Sequence, residues 1–265
     1  MTDQSYATLA LSNPVAHVLQ ITLNRPEVAN AFNTQMATDL MHCFEWLALE
    51  PGDTRCVVVT GAGERAFCAG GDLKERDGMS NAAWTAQHLV YERMIRAIID
   101  CPLPLIAAVN GAAYGGGCEL AAAVDFVYAS ENARFAMTET SLGIIPGAGG
   151  TQTLARALGE RRAKELIMSA RRFDAVEARA WGLVNEVFPS EQLLDEVLQT
   201  AARIATNAPI AVRQARQAIH RGLQMSLADG LAFEIEAYNR TVPTSDRREG
   251  VKAFNEKRAP EFKGE

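Results

Sequence analysis

Two glutamates stand where a carboxylate is unexpected. Glu119 follows the glycine run Gly115-Gly116-Gly117 and is otherwise surrounded by Cys118, Leu120, Ala121 and Ala122. Glu139 is the only charge between Arg134 and Arg156, in a segment bent by Gly143, Gly147, Gly149 and Gly150. A carboxylate in apolar surroundings is costly unless it is partnered or used, and two of them are what paired general acid–base chemistry needs. Each also reads as an ordinary acid favoured near a helix start or as a cap, and twenty residues of separation leave open whether they meet. The glycine run adds a second chemistry. N–H groups in the first turn of a helix lack intrahelical partners and sit at the positive end of its dipole, and glycine lets a ligand approach them, so an oxyanion could be received there. Cys118 has no base at motif spacing and reads as a packing residue.

Other chemistries lose ground. The chain has no G-x-S-x-G elbow, no H-E-x-x-H and no G-x-x-x-x-G-K-[ST] loop. Gly61-Ala-Gly63-Glu-Arg-Ala66 matches a dinucleotide fingerprint, but Gly70 and Gly71 bend the chain before a helix can start, so a turn after a buried strand is the better reading. His17, His42, His88 and His220 are scattered and read as structural or solvated. The Arg156–Arg179 cluster is diluted by Glu160, Glu165, Asp174 and Glu177, as in a solvated helix face. A net charge of −6 from 26 basic and 32 acidic residues speaks against a nucleic-acid binder. Five unpatterned cysteines suggest neither a disulfide framework nor a metal site. Residues 1–10 do not read as a signal peptide, and the uncharged run Cys101–Cys118 is broken by Pro102, Pro104 and four glycines. A cytoplasmic protein with no membrane partner is expected.

The elements that must position these residues alternate. Val15–Leu23 reads as a strand ending at Asn24-Arg25-Pro26, followed by a helix capped by Asn33 and stopped at Pro51-Gly52. Cys56–Thr60, Leu105–Val109 and Asp125–Ala129 read as short buried strands, and Thr151–Leu158 as a helix. Strands alternating with helices predict an α/β architecture. Beyond Pro189 only helices follow: one capped by Ser190, one opened by Pro209, one capped by Ser226. The expected division is a core over residues 1–189 and a helical C-terminal region over 190–265 that packs on the core or on another subunit.

In this order, Ala66-Phe-Cys-Ala-Gly-Gly-Asp-Leu-Lys-Glu75, Ile106-Ala-Ala-Val-Asn-Gly111, Gly115-Gly-Gly-Cys-Glu-Leu-Ala121, Leu142-Gly-Ile-Ile-Pro-Gly-Ala-Gly-Gly-Thr-Gln152 and Asp246-Arg-Arg-Glu-Gly250 resemble the enoyl-CoA hydratase/isomerase (crotonase) family. The resemblance runs from Ile21 to Arg258. It implies a crotonase-like spiral of β-β-α units with a C-terminal helical region that makes trimers, commonly paired into hexamers. It implies an acyl-coenzyme A thioester as substrate, with no separate cofactor or metal, and an enolate held by the N–H groups of Gly71 and Gly116. Relatives more often have Ala where Gly71 stands, but only the N–H is needed.

By the same resemblance Glu119 and Glu139 bracket a water that adds to a 2-enoyl thioester; isomerases and other relatives lack one or both acids. Ala69, Gly71, Asp72, Leu73 and Lys74 match the segment that holds coenzyme A, and Lys257 a lysine that approaches its phosphates. Leu73–Arg76 with Met79-Ser80, Lys164–Arg171 and Thr241–Arg247 are similar to the subgroup that hydrates 3-methylglutaconyl-CoA in branched-chain catabolism. Arg76, Arg93 or Arg96 would then meet its distal carboxylate. The segment from Arg76 to Arg96 and residues near Trp84, Tyr114 and Tyr238 are expected to shape the acyl pocket. One member of that subgroup also binds RNA through lysines on its first helix, but Asn33–Glu50 carries no Lys or Arg, so no RNA partner is expected.

Overall fold

The computed structural model of the protein describes residues 5–265. Its centre is a six-stranded sheet in the order β1 (Leu9–Val15), β2 (Val18–Leu23), β3 (Cys56–Gly61), β5 (Leu105–Val109), β7 (Phe126–Ser130), β10 (Glu186–Phe188). Only the β1–β2 pair is antiparallel. A second sheet joins β4 (Ala66–Cys68), β6 (Ala112–Tyr114), β8 (Arg134–Ala136) and β9 (Phe173–Asp174).

The chain winds as a spiral. β3 leads into β4, β5 into β6 and β7 into β8, and each pair is followed by helix: α2 (Leu73–Arg76) and α3 (Asn81–Asp100), then α4 (Gly116–Ala123), then α5 (Gly150–Leu158) and α6 (Glu160–Ser169). A short α7 (Ala175–Trp181) connects β9 to β10. This is the β-β-α repeat the resemblance implies.

The unbroken apolar runs of β3 and β5 follow from burial on both faces. Val57, Val59, Ala107 and Val109 enter the main core, which also takes α1 (Thr34–Leu49), α3 and α4, while Cys56, Val58, Ile106 and Ala108 turn the other way. There they meet Leu193, Val197, Ala201 and Ala205 of α8 (Leu193–Ala205), spaced every four residues along one helical face. The first helix after Pro189 therefore closes the sheet.

Local expectations hold where capping chemistry is strong. Asn33 accepts from Met36 N at the start of α1 and Ser226 from Asp229 N at the start of α10 (Leu227–Thr241). Two expectations are corrected. Val15–Leu23 is not one strand: the chain turns at Ala16-His17, with His17 at φ 63° and its Nδ1 2.9 Å from Asp53 O, so Val15 ends β1 and Val18 begins β2. Ser190 does not cap α8; its hydroxyl is bonded to Ser130 Oγ and accepts from Asn132 Nδ2, tying the end of β7 to the loop after β10.

α9 (Pro209–Gly222) and α10 pack on one another, and α11 (Ser245–Glu256) follows. Buried Asp246 accepts from Lys263 N and Gly264 N, and Arg55 donates to Phe262 O, which folds the tail back on the core. Among the described residues no helix is long and apolar enough to cross a membrane.

Candidate active site

Glu119 projects from the first turn of α4 and is 3% exposed. One oxygen, Oε1, accepts from Ala148 N and Gly150 N, both at 2.8 Å, so the glycine-rich turn before α5 clamps half of the carboxylate. A side chain at Gly150 has no room: its Cβ would stand 2.2 Å from Met137 Cε and 2.8 Å from Glu119 Cγ. Burial pushes the Glu119 carboxyl up to about 7; the two N–H bonds oppose this and the neighbouring charge of Glu139 adds to it.

Glu139 opens a one-turn 3-10 segment, Glu139–Leu142, after β8 and is 8% exposed. Its Oε2 is buried without a hydrogen-bond partner among the described residues, and burial raises its carboxyl too. Gly115, at φ 49°, makes room for it: a Cβ there would lie 2.9 Å from Glu139 Oε1. The two acids separated in sequence thus share a cavity of about 440 Å³.

Two N–H groups face the same cavity. Gly116 is the first residue of α4, where no intrahelical acceptor exists. Gly71 forms an isolated parallel bridge with Phe32, in which Phe32 N donates to Gly70 O and Asp72 N donates to Phe32 O. In that geometry the N–H of Gly71 points to the opposite side, and both Gly71 and Gly116 line the cavity. A Cβ at Gly71 would find its nearest neighbour 3.5 Å away, at Arg76 Nη1, so the position has space for an alanine.

Long-range bonds hold this loop. Asp72 accepts from Lys74 N and Glu75 N to cap α2 and pairs with Arg25 at 3.0 Å. Arg25 also donates to Ala31 O, and Asn30, fully buried, accepts from Arg25 N and donates to Ala62 O and Ala66 O.

Ala69 and Leu73 line the cavity. Asp72 does not: with its carboxylate committed to Arg25 and the α2 cap, it positions the loop. Lys74 is exposed beside the mouth, and Lys257 ends α11, exposed and away from the lining of this chain. Of the candidate cations, Arg76 lines the cavity, whereas Arg93 and Arg96 turn outward to Glu45 and Glu92. Trp84 lines it; Tyr114 does not, since its ring lies under Arg172, and Tyr238 sits among the C-terminal helices. The Arg76–Arg96 segment is mostly helix α3, whose Trp84, His88 and Tyr91 form one wall. His88, read from sequence only as structural or solvated, was missed as a lining residue; the i, i+4, i+7 spacing of Trp84, His88 and Tyr91 on a helical pattern was the available signal.

Elsewhere Cys118 is fully buried, with its thiol pushed well up by desolvation, in keeping with a packing role. The basic cluster pairs with its own acids: Lys164 with Glu160, Arg171 with Glu165 and Glu177, Arg179 with Glu186. No group of three or more His, Cys, Asp or Glu among the described residues could hold a metal ion.

A ββα spiral that brings the backbone of Gly71 and Gly116 and two buried carboxylates to one cavity has the parts of an enzyme that can stabilise charge on a bound carbonyl and move protons beside it. The profile of the enoyl-CoA hydratase/isomerase family matches residues 14–265, and the chain belongs to that family. The crystal structure of an enoyl-CoA hydratase from Bacillus anthracis superposes with a TM-score of 0.95 at 45% identity, covering 97% of this chain and 100% of that one. The 2,3-dehydroadipyl-CoA hydratase of Escherichia coli is 41% identical over 93% of this chain and 95% of its own length. The short-chain-enoyl-CoA hydratase of Clostridium acetobutylicum is 39% identical over 91% and 92%. The chain is accordingly an enzyme of the enoyl-CoA hydratase kind, a lyase.

Proposed function

We propose that the protein adds water across the 2,3 double bond of a 2-enoyl-CoA thioester, with Glu119 and Glu139 acting together. The observation that carries this reading is the pair of buried carboxylates in one cavity, one clamped through a single oxygen and the other with a buried oxygen unpartnered. The thioester oxygen lies between the N–H groups of Gly71 and Gly116, where the start of α4 favours negative charge. Water held between the two glutamates attacks C3 and loses a proton to the Glu119 carboxylate. The electron pair of the double bond moves to the thioester oxygen as an enolate, and its collapse takes up a proton at C2 from Glu139.

Ala69, Leu73 and Lys74 flank the mouth and are assigned to the coenzyme A moiety, with Lys257 reaching its phosphates in an assembled oligomer. The acyl group is assigned to 3-methylglutaconyl on the strength of Leu73–Arg76, Lys164–Arg171 and Thr241–Arg247, with branched-chain catabolism as the setting. Three copies assemble through the C-terminal helices and two such trimers make a hexamer. The five cysteines, all free and buried, support a cytoplasmic location, and the first helix, without Lys or Arg, supports no role in RNA binding.

The test is the loss of absorbance of the conjugated thioester with crotonyl-CoA and 3-methylglutaconyl-CoA. Glu119→Gln and Glu139→Gln are each expected to lower kcat by about 10²- to 10⁴-fold. Full activity in either variant would overturn the two-carboxylate mechanism, and double-bond migration without hydration would make the protein an isomerase.

A further inference from the structure

The turn that clamps Glu119 has little of its own to hold it. Between the 3-10 segment that ends at Leu142 and the start of α5 at Gly150, residues Ile145–Ala148 make one hydrogen bond among the described residues, from Ala148 N to Glu119 Oε1. Ile145 is 71% exposed. A turn aligned only by the carboxylate it is meant to align needs a second support.

That support comes from α3, which is seated in the core by Tyr91, Met94, Ile95 and Ile98, with Tyr91 Oη donating to Phe32 O at 2.7 Å. From this helix the half-buried ring of His88 reaches across to Gly147. A Cβ on Gly147 would stand 2.3 Å from His88 Cε1, 3.2 Å from Nε2 and 3.3 Å from Nδ1. Gly147 has no left-handed backbone to explain it, so the ring, and not the path of the chain, requires a glycine there. Neither ring nitrogen of His88 forms a hydrogen bond with the described residues. What the side chain gives the protein is therefore contact, made by the ring against the turn.

We propose that His88 is a positioning residue for hydration: its ring, carried on α3, pins Gly147 so that the N–H groups of Ala148 and Gly150 stay aimed at Glu119 Oε1. The proposal deepens the hydratase reading of the cavity and rests on it. Ring and glycine form a matched pair, and the space between helix and turn can be filled from one side only.

The wild type, Gly147→Ala, His88→Ala and the double variant test this with crotonyl-CoA. In Gly147→Ala two groups contend for one space and the turn is displaced, which is expected to lower kcat about 10- to 100-fold. His88→Ala leaves the turn unsupported. In the double variant the added methyl enters the space the ring has left, and kcat is expected to recover about fivefold or more over Gly147→Ala. Losing the two N–H bonds removes what opposes burial at Glu119, so its carboxyl rises further above about 7. The acid limb of kcat/KM should accordingly move up by about one pH unit in Gly147→Ala, part of that in His88→Ala, and back in the double variant. Glu139 across the cavity and Cys118 beside Glu119 are the same in all four proteins.

A Gly147→Ala variant with wild-type kcat overturns the proposal. So does a defect that His88→Ala leaves uncorrected, which would make His88 a cavity wall and no more. If Gly147→Ala does not fold, His88→Ala decides by the same acid limb: raised, it supports the pinning; unmoved, it overturns it. If wild type does not hydrate the thioester the hydratase reading fails, and infrared difference spectra against Glu119→Gln then follow the carboxyl without turnover. A titration midpoint raised in Gly147→Ala and returned in the double variant supports the pinning; one constant through the series overturns it.

Discussion

Glu119 is held so that one oxygen is fixed and the other is left for chemistry, and the same burial that serves the reaction works against the fold. Its carboxyl is raised from 4.5 to about 7 in the native state. Below pH 4.5 the group is neutral in both folded and unfolded chains and costs nothing. As pH rises the unfolded chain ionises first, the native state falls behind, and the penalty grows until it levels off above pH 7 at roughly 3 kcal/mol. Glu119→Gln keeps an oxygen for Ala148 N and Gly150 N but cannot ionise. The variant should therefore gain stability over wild type as pH rises, by about 2 to 3 kcal/mol more at pH 8 than at pH 5. Urea unfolding at the two pH values measures this, and a pH-independent difference would mean that the carboxyl is not raised. The amino-acid types made Glu119 and Glu139 legible in the sequence, because acids among glycine and alanine are conspicuous. Arg76 was visible only as one of three candidates, since which arginine faces inward depends on rings and amides contributed by Trp84, Tyr91 and Gln87.

The elements that carry the site are short, and what fixes them lies far away in sequence. β4, β6 and β8 have three residues each, too few for a periodic pattern to show, whereas β3 and β5 announced themselves as apolar runs because they are covered on both faces. The oxyanion loop after β4 was legible as a motif, but its anchor was not: Arg25 meets Asp72 across 47 residues. From sequence Arg25 belonged to a turn and Asp72 to a ligand-binding stretch. The structure gives the pair a positioning role, with side chains 17% and 12% exposed. Removing one partner of such a pair leaves the other charge uncompensated and costs about 3 kcal/mol or more when burial is complete, less here. Arg25→Ala is expected to lower thermal stability and to cut kcat at least tenfold while thioester binding weakens less, because the N–H of Gly71 loses its aim before the cavity loses its walls. Steady-state kinetics at a temperature well below the melting transition separates the two effects; an unchanged kcat would remove Arg25 from the support of the oxyanion loop.

At the scale of the whole molecule, the core closes upon itself and the C-terminal helices do not. α8 completes the sheet, but α9, α10 and α11 leave Leu223, Leu227, Ile235, Tyr238 and Phe254 facing outward, with Leu223 and Leu227 each 80% exposed and Phe254 83%. Between α9 and α10 runs a groove of about 670 Å³, floored by Ala215, Ala218 and Gly222 and edged by Leu227 and Leu231. Scattered apolar residues on a surface are ordinary, but a contiguous patch of this kind marks an interface. The sequence showed where the strands stop and helices take over; it could not show that the apolar faces of those helices would exceed what one chain can cover. A second copy of the same chain is the occupant we infer, with closed rotational symmetry so that every copy buries the same face. Light scattering is expected to give three or six times the 28.7 kDa chain mass. Leu231→Glu combined with Ile235→Glu places two charges on α10 in that face, where burial of an unpaired carboxylate is prohibitive, and should yield monomers. Because Glu119, Glu139, Gly71 and Gly116 all come from one chain, the monomeric variant should keep the site's acids and donors while losing contributions that only a neighbour makes. Its KM for the thioester should rise more than its kcat falls if Lys257 reaches coenzyme A from an adjacent copy. A wild-type protein that runs as a monomer at micromolar concentration would defeat the assembly, and a dissociated variant with unchanged KM would return Lys257 to the solvent.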